Sequence, residues 1–316
     1  MRDRHDPEQR IVQLRQSLAT VRPDLAGLPI ALALHTEQSN PHWQRASAFV
    51  GDDWVAKFAW TDAAAERLRA EIALRRALTG HDTGIPVPEL VAASDEPALL
   101  ISRRVPGSPV TGAAIARLAP HERLDLARSV AETLRALHAP SVLTLVRDAG
   151  LSLAAPTPQA DTDTLRQRFP RLVDDRRAAW VERWLDWVDA VLGEPLDTAV
   201  FLHGDFHGHN LVLDERHTVR ALLDFEESAL GDHHYDFRYL PAQAATLEFF
   251  LQVVDAYEPV SGASIDARRV MAWHVRTVLG DGLWRSEAGV ALPEQGTPQG
   301  WVDQIHDRFA TLGIPL

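Results

Sequence analysis

The side chains best suited to chemistry are concentrated between His203 and Asp224. The run is His203-Gly204-Asp205-Phe206-His207-Gly208-His209-Asn210, followed by a short apolar stretch, a turn over Asp214–Thr218, a second apolar stretch and Asp224-Phe225-Glu226. A carboxylate such as Asp205 can orient a hydroxyl and take its proton. Asn210 offers an amide oxygen and Asp224 a carboxylate, and a hard divalent cation prefers oxygen ligands of this kind. A loop and a hairpin can bring both to one ion although 14 residues separate them. Such a set suits phosphoryl transfer, which asks of a protein mainly positioning and charge neutralisation. The same run alternates His203, Asp205, His207 and His209, with His233-His234 beyond it. Alternating His and Asp can also build a zinc or dinuclear hydrolytic centre.

Two rare residue types mark further positions. Lys57 is the only lysine among 32 basic residues, and asparagine occurs only at Asn40 and Asn210. The bias toward Arg and Ala fits a preference for GC-rich codons. Against it, a lone Lys or Asn marks a place that Arg or Asp does not fill. Lys57 lies in an alternating segment, and the helix predicted after it carries Glu66 and Glu71.

The elements that must position these residues follow from hydrophobic periodicity. A first helix is predicted over Pro7–Val21. Strands follow at Ile30–Leu34, Arg45–Val50 and Trp54–Ala59, with Gly51-Asp52 as a hairpin turn. Thr61 or Asp62 caps a helix running to Leu78. Two more strands lie near Leu90–Ala93 and Ala98–Ser102. Val105–Pro109 then reads as a hinge. Beyond it the pattern is mainly helical: His121–His138, Arg176–Leu192 with Trp180, Trp184 and Trp187 in the core, and three closing helices. Leu151–Asp163 reads as a loop, and short strands at Ala199–Leu202, Leu211–Leu213 and Ala221–Leu223 bracket the polar run. The fold class expected is α+β, with a small antiparallel-sheet N-lobe (1–104) hinged to a larger, mostly helical C-lobe (105–316).

His203-Gly204-Asp205 followed by four residues and Asn210 meets the pattern H-G-D-x-x-x-x-N in full, and Gly231-Asp232-His233-His234-Tyr235-Asp236 meets G-D-x-x-x-D. With Asp224-Phe225-Glu226 and Val55-Ala56-Lys57, these motifs resemble those of the aminoglycoside phosphotransferase and choline kinase family, small-molecule relatives of protein kinases. The resemblance covers roughly Ile30 to Tyr257. It implies a two-lobed protein-kinase-like fold, Mg²⁺, and ATP or GTP as donor to a hydroxyl on a small molecule. Carried onto this chain, it makes Asp205 the catalytic base and Asn210 and Asp224 the metal ligands. His203 and Asp236 become supports of the loop. Lys57, positioned by Glu71, holds the α- and β-phosphates. Ser39 and Asn40 would cap phosphate oxygens from a loop that departs from the kinase pattern in having no glycine. Ser102 and Arg104 would lie beside the purine, in a stretch similar to the family's interlobe linker. The acceptor pocket would lie between the catalytic loop and C-terminal helices bearing Trp273, His274, Asp281, Trp284, Glu287, Glu294, Trp301 and Asp303, with Asp281, Trp284 and Glu287 the candidate contacts.

Composition narrows the classes. The chain has 316 residues, 46% of them hydrophobic, and no cysteine, which excludes disulfides, thiolate chemistry and Cys-ligated zinc. A net charge of −12 argues against nucleic acid or an anionic membrane as partner. No apolar run reaches bilayer length, and the charged start lacks a signal-like stretch, so a cytoplasmic protein is expected. The function expected is transfer of the γ-phosphate to a hydroxyl of an antibiotic, aminoglycoside-like or another sugar-containing natural product. The alternative is a metabolic kinase for choline, homoserine or a sugar. Two rivals come from other classes: a His/Asp metallohydrolase, and a nucleotide-binding pseudokinase without turnover.

Overall fold

The computed structural model describes residues 7–33, 45–196 and 198–314. Its first part is built on one antiparallel sheet. Helix α1 (Pro7–Val21) precedes β1 (Ile30–Leu32), β2 (Arg45–Val50) and β3 (Trp54–Ala59); α2 (Asp62–Leu78) and then β4 (Leu90–Asp95) and β5 (Ala98–Arg103) follow. The strand order is β1-β2-β3-β5-β4. Alternation decides what each face does. Ala46, Ala48, Val50, Ala56, Phe58, Leu99 and Ile101 form one buried cluster with Leu14 and Leu18 of α1. The register Ser47↔Lys57↔Leu100 places Lys57 on the opposite face, where Leu100 and Ala98 pack on Leu68 and Ile72 of α2. Helix α2 starts where Thr61 accepts a hydrogen bond from the Ala64 amide.

The remainder is mostly helical. In chain order it comprises β6 (Ser108–Pro109), α3 (Gly112–Arg117), α4 (Pro120–Leu137), α5 (Pro140–Asp148), α6 (Thr162–Arg168), α7 (Asp175–Leu192), β7 (Val200–Leu202), β8 (Leu211–Leu213), β9 (Val219–Leu222), β10 (Ala229–Gly231), α8 (Leu240–Gln243), α9 (Glu248–Ser261), α10 (Ala267–Ala288) and α11 (Pro298–Leu312). Strands β6, β8 and β9 make a small sheet, and β7 pairs with β10. One apolar cluster joins α4 and α9 to Phe206 and Phe225, and it also takes in Leu74 and Leu78 of α2. A second cluster lies between α7, α10 and α11. Among the described residues no helix is long and apolar enough to cross a membrane.

This is the two-lobed kinase-like architecture that the motifs implied, with several local differences. Ser108–Pro109, read as part of a hinge, is a strand paired with Leu213 and Val212. Helices α3, α5 and α6 were not foreseen. Pro140, which looks like a break, occupies the first turn of α5, where a missing N–H costs nothing. Asp161 caps α6 inside the stretch expected to be loop. Of the three α7 tryptophans only Trp184 is buried; Trp180 and Trp187 are half-buried at the cluster's edge, Trp180 stacked on His306 at 4.0 Å. Ser39 and Asn40 lie outside the described residues.

Candidate active site

Lys57 projects from β3 into a pocket of carboxylates. Its Nζ is 2.6 Å from Glu71 on α2, 2.8 Å from Asp224 and 2.7 Å from Glu226. Glu71 also accepts a hydrogen bond from the Phe225 amide at 3.3 Å. Three carboxylates around one ammonium leave surplus negative charge, with Arg67 a further 4.0 Å from Glu226. Asp224 itself stands at φ 61°, in the left-handed region that Asp tolerates better than most residues. The sharp turn this makes after β9 aims its carboxylate back at Lys57.

The loop after β7 is held from several directions. Gly204 has φ 83°, and a Cβ there would fall 1.7 Å from the Glu227 carbonyl oxygen, so only glycine fits between His203 and Asp205. Asp236 receives the amides of His203 and Gly204, each at 2.9 Å, on its two oxygens. His203 is buried; its Nε2 donates to the Leu223 carbonyl at 2.8 Å and its Nδ1 accepts from the Asp205 amide at 3.2 Å. The loop is thereby tied to the strand that leads into Asp224. Burial of Asp236 opposes its ionisation, but His138 at 3.2 Å and the charges of His203 and Arg238 hold its carboxyl below the usual range.

Asp205 is partly exposed, with 27% of its side chain accessible. Burial would raise its pKa, yet a hydrogen bond and charge from His207, with Arg238 and His203 behind, bring it down to about 2. It is therefore an ionised acceptor at neutral pH. The Asn210 amide nitrogen donates to the Asp205 carbonyl at 2.9 Å, which turns the amide oxygen outward. Asn210 and Asp224 are brought together because the Asn210 carbonyl receives the Leu223 amide at 2.8 Å. The surplus carboxylates and this outward oxygen fit a divalent cation: Asn210 and Asp224 are the residues that would hold it.

The other expected residues are placed unevenly. Ser102 shares a sheet face with Val55 and Phe49 in the register row next to Lys57, and its hydroxyl is buried with no hydrogen-bond partner among the described residues. Arg104 donates its amide to the Asp53 carbonyl at 2.7 Å and lays its guanidinium 4.6 Å over Phe49. Asp281 on α10 feels the charge of Asp205; burial pushes its carboxyl up, against the pull of Arg285 at 2.8 Å. Trp284 lies under Arg285 at 5.6 Å. Glu287 is exposed and ion-paired to Arg168. Asp303 pairs with Arg177, Trp273 donates to Asp232 and His274 is fully buried, so these three are engaged within the fold.

Among the described residues the histidines do not gather into one metal centre. Among the described residues, the His/Asp/Glu groups close enough to share an ion are Glu71, Asp224 and Glu226, and separately Asp232, His233 and His234. His203, His207 and His209 belong to neither. Several contributors were not singled out from sequence: Glu226 on Lys57, His138 and Tyr257 linked at 3.0 Å behind Asp236, Arg238 donating to the Gly204 carbonyl at 2.6 Å, and Gln243 bonded to Gly208. Glu226, two residues past Asp224, and Arg238, two residues past the G-D-x-x-x-D motif, could have been found by position; His138, Tyr257 and Gln243 sit on helices or at a helix end, whose approach the sequence does not encode locally.

The chain is similar in sequence and in fold to known proteins. The model of the phosphotransferase enzyme family matches residues 32–274. Viomycin phosphotransferase of Streptomyces vinaceus is 29% identical over 201 residues, covering 61% of this chain and 68% of that protein. Among solved structures, the GDP and kanamycin complex of an aminoglycoside phosphotransferase has the same fold at a TM-score of 0.68 and 21% identity, over 96% of this chain and 97% of the other. A macrolide 2'-phosphotransferase from Brachybacterium faecium aligns at 0.59 and 19% identity, over 96% and 99%.

Proposed function

The chain belongs to the phosphotransferase enzyme family, and from that premise we propose that it transfers the γ-phosphate of ATP or GTP to a hydroxyl of an antibiotic. The observation that carries this reading is the meeting of Lys57, Glu71 and Asp224 from separate elements beside a loop that presents Asp205 and Asn210. Lys57, held by Glu71, grips the α- and β-phosphates. Asp205 orients the acceptor hydroxyl and takes its proton as the new O–P bond forms and the β–γ bridge breaks. Asn210 and Asp224 would hold Mg²⁺, which would supply positive charge against the phosphate oxygens. The purine lies along Phe49, Val55 and Ser102, one register row from Lys57. Antibiotic acceptors are favoured by the viomycin phosphotransferase likeness, which is the more informative of the comparisons for substrate because it rests on sequence.

The test is a nucleotide-consumption screen with ATP and GTP against viomycin-like peptides, aminoglycosides, macrolides and the primary metabolites choline, homoserine and simple sugars. Turnover with an antibiotic and not with the metabolites is expected; the reverse would replace this reading with that of a metabolic kinase. Asp205→Ala should lower kcat about 100- to 10,000-fold while nucleotide still binds. Near-normal turnover in that variant would remove Asp205 as the base.

A further inference from the structure

His207 follows Asp205 by two residues and is drawn back against it: its Nε2 is 3.2 Å from Asp205 Oδ2. The proton on this ring can be located. His207 Nδ1 accepts from the His209 amide at 3.1 Å, so the neutral imidazole carries its hydrogen on Nε2, which faces Asp205 Oδ2 at 3.2 Å and has the Asn210 amide nitrogen a longer 3.4 Å away. Asn210 Nδ2 approaches the same oxygen at 3.3 Å. Oδ2 is thus occupied from two sides, while Oδ1 faces Arg238 at 4.0 Å with no closer cation among the described residues, and the Tyr239 hydroxyl, 3.2 Å from Arg238, interacts with Asp205 as well. The ring is itself braced. Tyr239 meets it edge-on at 5.5 Å. The next residue, Gly208, is fixed by Gln243 at 3.0 Å and by Val110, whose amide donates to the Gly208 carbonyl at 2.9 Å. A Cβ on Gly208 would fall 2.0 Å from the Val110 oxygen, so the loop is pressed against its frame.

We infer that His207 is a positioning residue for phosphoryl transfer: its Nε2–H holds one oxygen of the Asp205 carboxylate and so assigns the other, Oδ1, to the acceptor hydroxyl. The inference rests on Asp205 being the base. The hydroxyl proton goes to Oδ1, and His207 neither gains nor loses one. A carboxylate free to rotate would meet the hydroxyl in fewer encounters of reactive geometry, an effect confined to the chemical step.

The experiment compares His207→Leu, which removes the donor, with His207→Gln, whose amide nitrogen reaches the place of Nε2. The rate is read with an antibiotic acceptor and also as nucleotide hydrolysis, in which water takes the acceptor's place. His207→Leu is expected to lower kcat roughly 100-fold, with KM for nucleotide and acceptor within about threefold of wild type. His207→Gln should recover most of the rate. If the leucine variant melts early, His207→Asn, too short to reach Oδ2, replaces it. Unchanged kcat in His207→Leu overturns the inference, as does a loss carried by acceptor KM, which would make His207 a substrate contact. Asp205→Asn, run in parallel, separates the two readings: wild-type turnover there sinks the base assignment, whereas loss there with full rate in His207→Leu sinks only the role of His207.

Discussion

At the scale of single residues, the most consequential contact is the one ammonium among three carboxylates. Removing a cation from buried acidic partners leaves charges that must be neutralised or must move apart, and such changes cost about 3–5 kcal/mol. Lys57→Met should therefore do two separable things. It should lower kcat on the order of 100-fold, because a charge-stabilising donor at the phosphates is gone. It should also lower the melting temperature, because Glu71, Asp224 and Glu226 then repel one another. Adding Glu226→Gln to Lys57→Met removes one of those charges and should restore part of the melting temperature while leaving the rate low. A double variant no more stable than the single one would show that the carboxylates are relieved in some other way. Lys57 and Asn210 were legible in the sequence because their residue types are nearly absent elsewhere in it. His207 was not: it looked like one of several histidines, and its bond to Asp205 exists only once the loop is folded back between Tyr239 and Gln243.

At the scale of elements, α10 shows why the acceptor side was harder to anticipate than the strands. Strands β2, β3 and β5 announce themselves by alternation, and their register alone puts Lys57 beside the purine row. Helix α10 carries polar residues on several sides, and its partners decide which of them remain available. Asp232 accepts from Trp273 at 2.8 Å, Arg269 at 2.5 Å and His234 at 2.6 Å, fastening α10 to the catalytic half. Next to Trp273, His274 donates from Nδ1 to the Arg238 carbonyl at 2.7 Å and presents Nε2 to Arg308 at 3.3 Å. Burial, with the nearby Arg308 charge, pushes its pKa down to about 3. Burial likewise brings His233 down to about 4, with the charges of His234 and His138 acting in the same direction. An unfolded histidine binds its proton near pH 6.5, so acidification favours the unfolded chain. The stability present above pH 6.5 is lost as pH falls toward the folded values. Between pH 6.5 and 5 carboxylates scarcely titrate, and a fully buried histidine such as His274 should account for a loss on the order of 2 kcal/mol at pH 5. Urea titrations at pH 7.5 and pH 5 measure it. His274→Gln should flatten the difference; an equally steep fall in that variant would place the proton uptake on other groups.

At the scale of the whole molecule, the sheet-built half and the helical half are joined through the ion cluster itself. Lys57 and Glu71 come from the first, Asp224 and Glu226 from the second, and the Glu71 bond to the Phe225 amide runs between them. The division into two halves was legible because hydrophobic periodicity changes from alternating to helical near Pro106. The way they lock was not, since the residues involved lie far apart in the chain, 167 positions in Lys57–Asp224 and further still in Lys57–Glu226. That lock bears on ligand binding. Phosphates must compete with Asp224 for Lys57, and a divalent cation binding Asp224 weakens its hold on the lysine. Nucleotide and Mg²⁺ should each ease entry of the other, and the coupling must be reciprocal. In thermal denaturation, nucleotide alone and Mg²⁺ alone should each give small shifts, with the pair exceeding their sum; at about 100 times Kd the stabilisation reaches roughly 2.7 kcal/mol. Asp224→Asn should abolish the synergy and leave the shift from nucleotide alone undiminished, because its amide holds the cation poorly and competes weakly for Lys57. Strictly additive shifts in the wild-type protein would mean that Asp224 does not change partners when the two ligands bind.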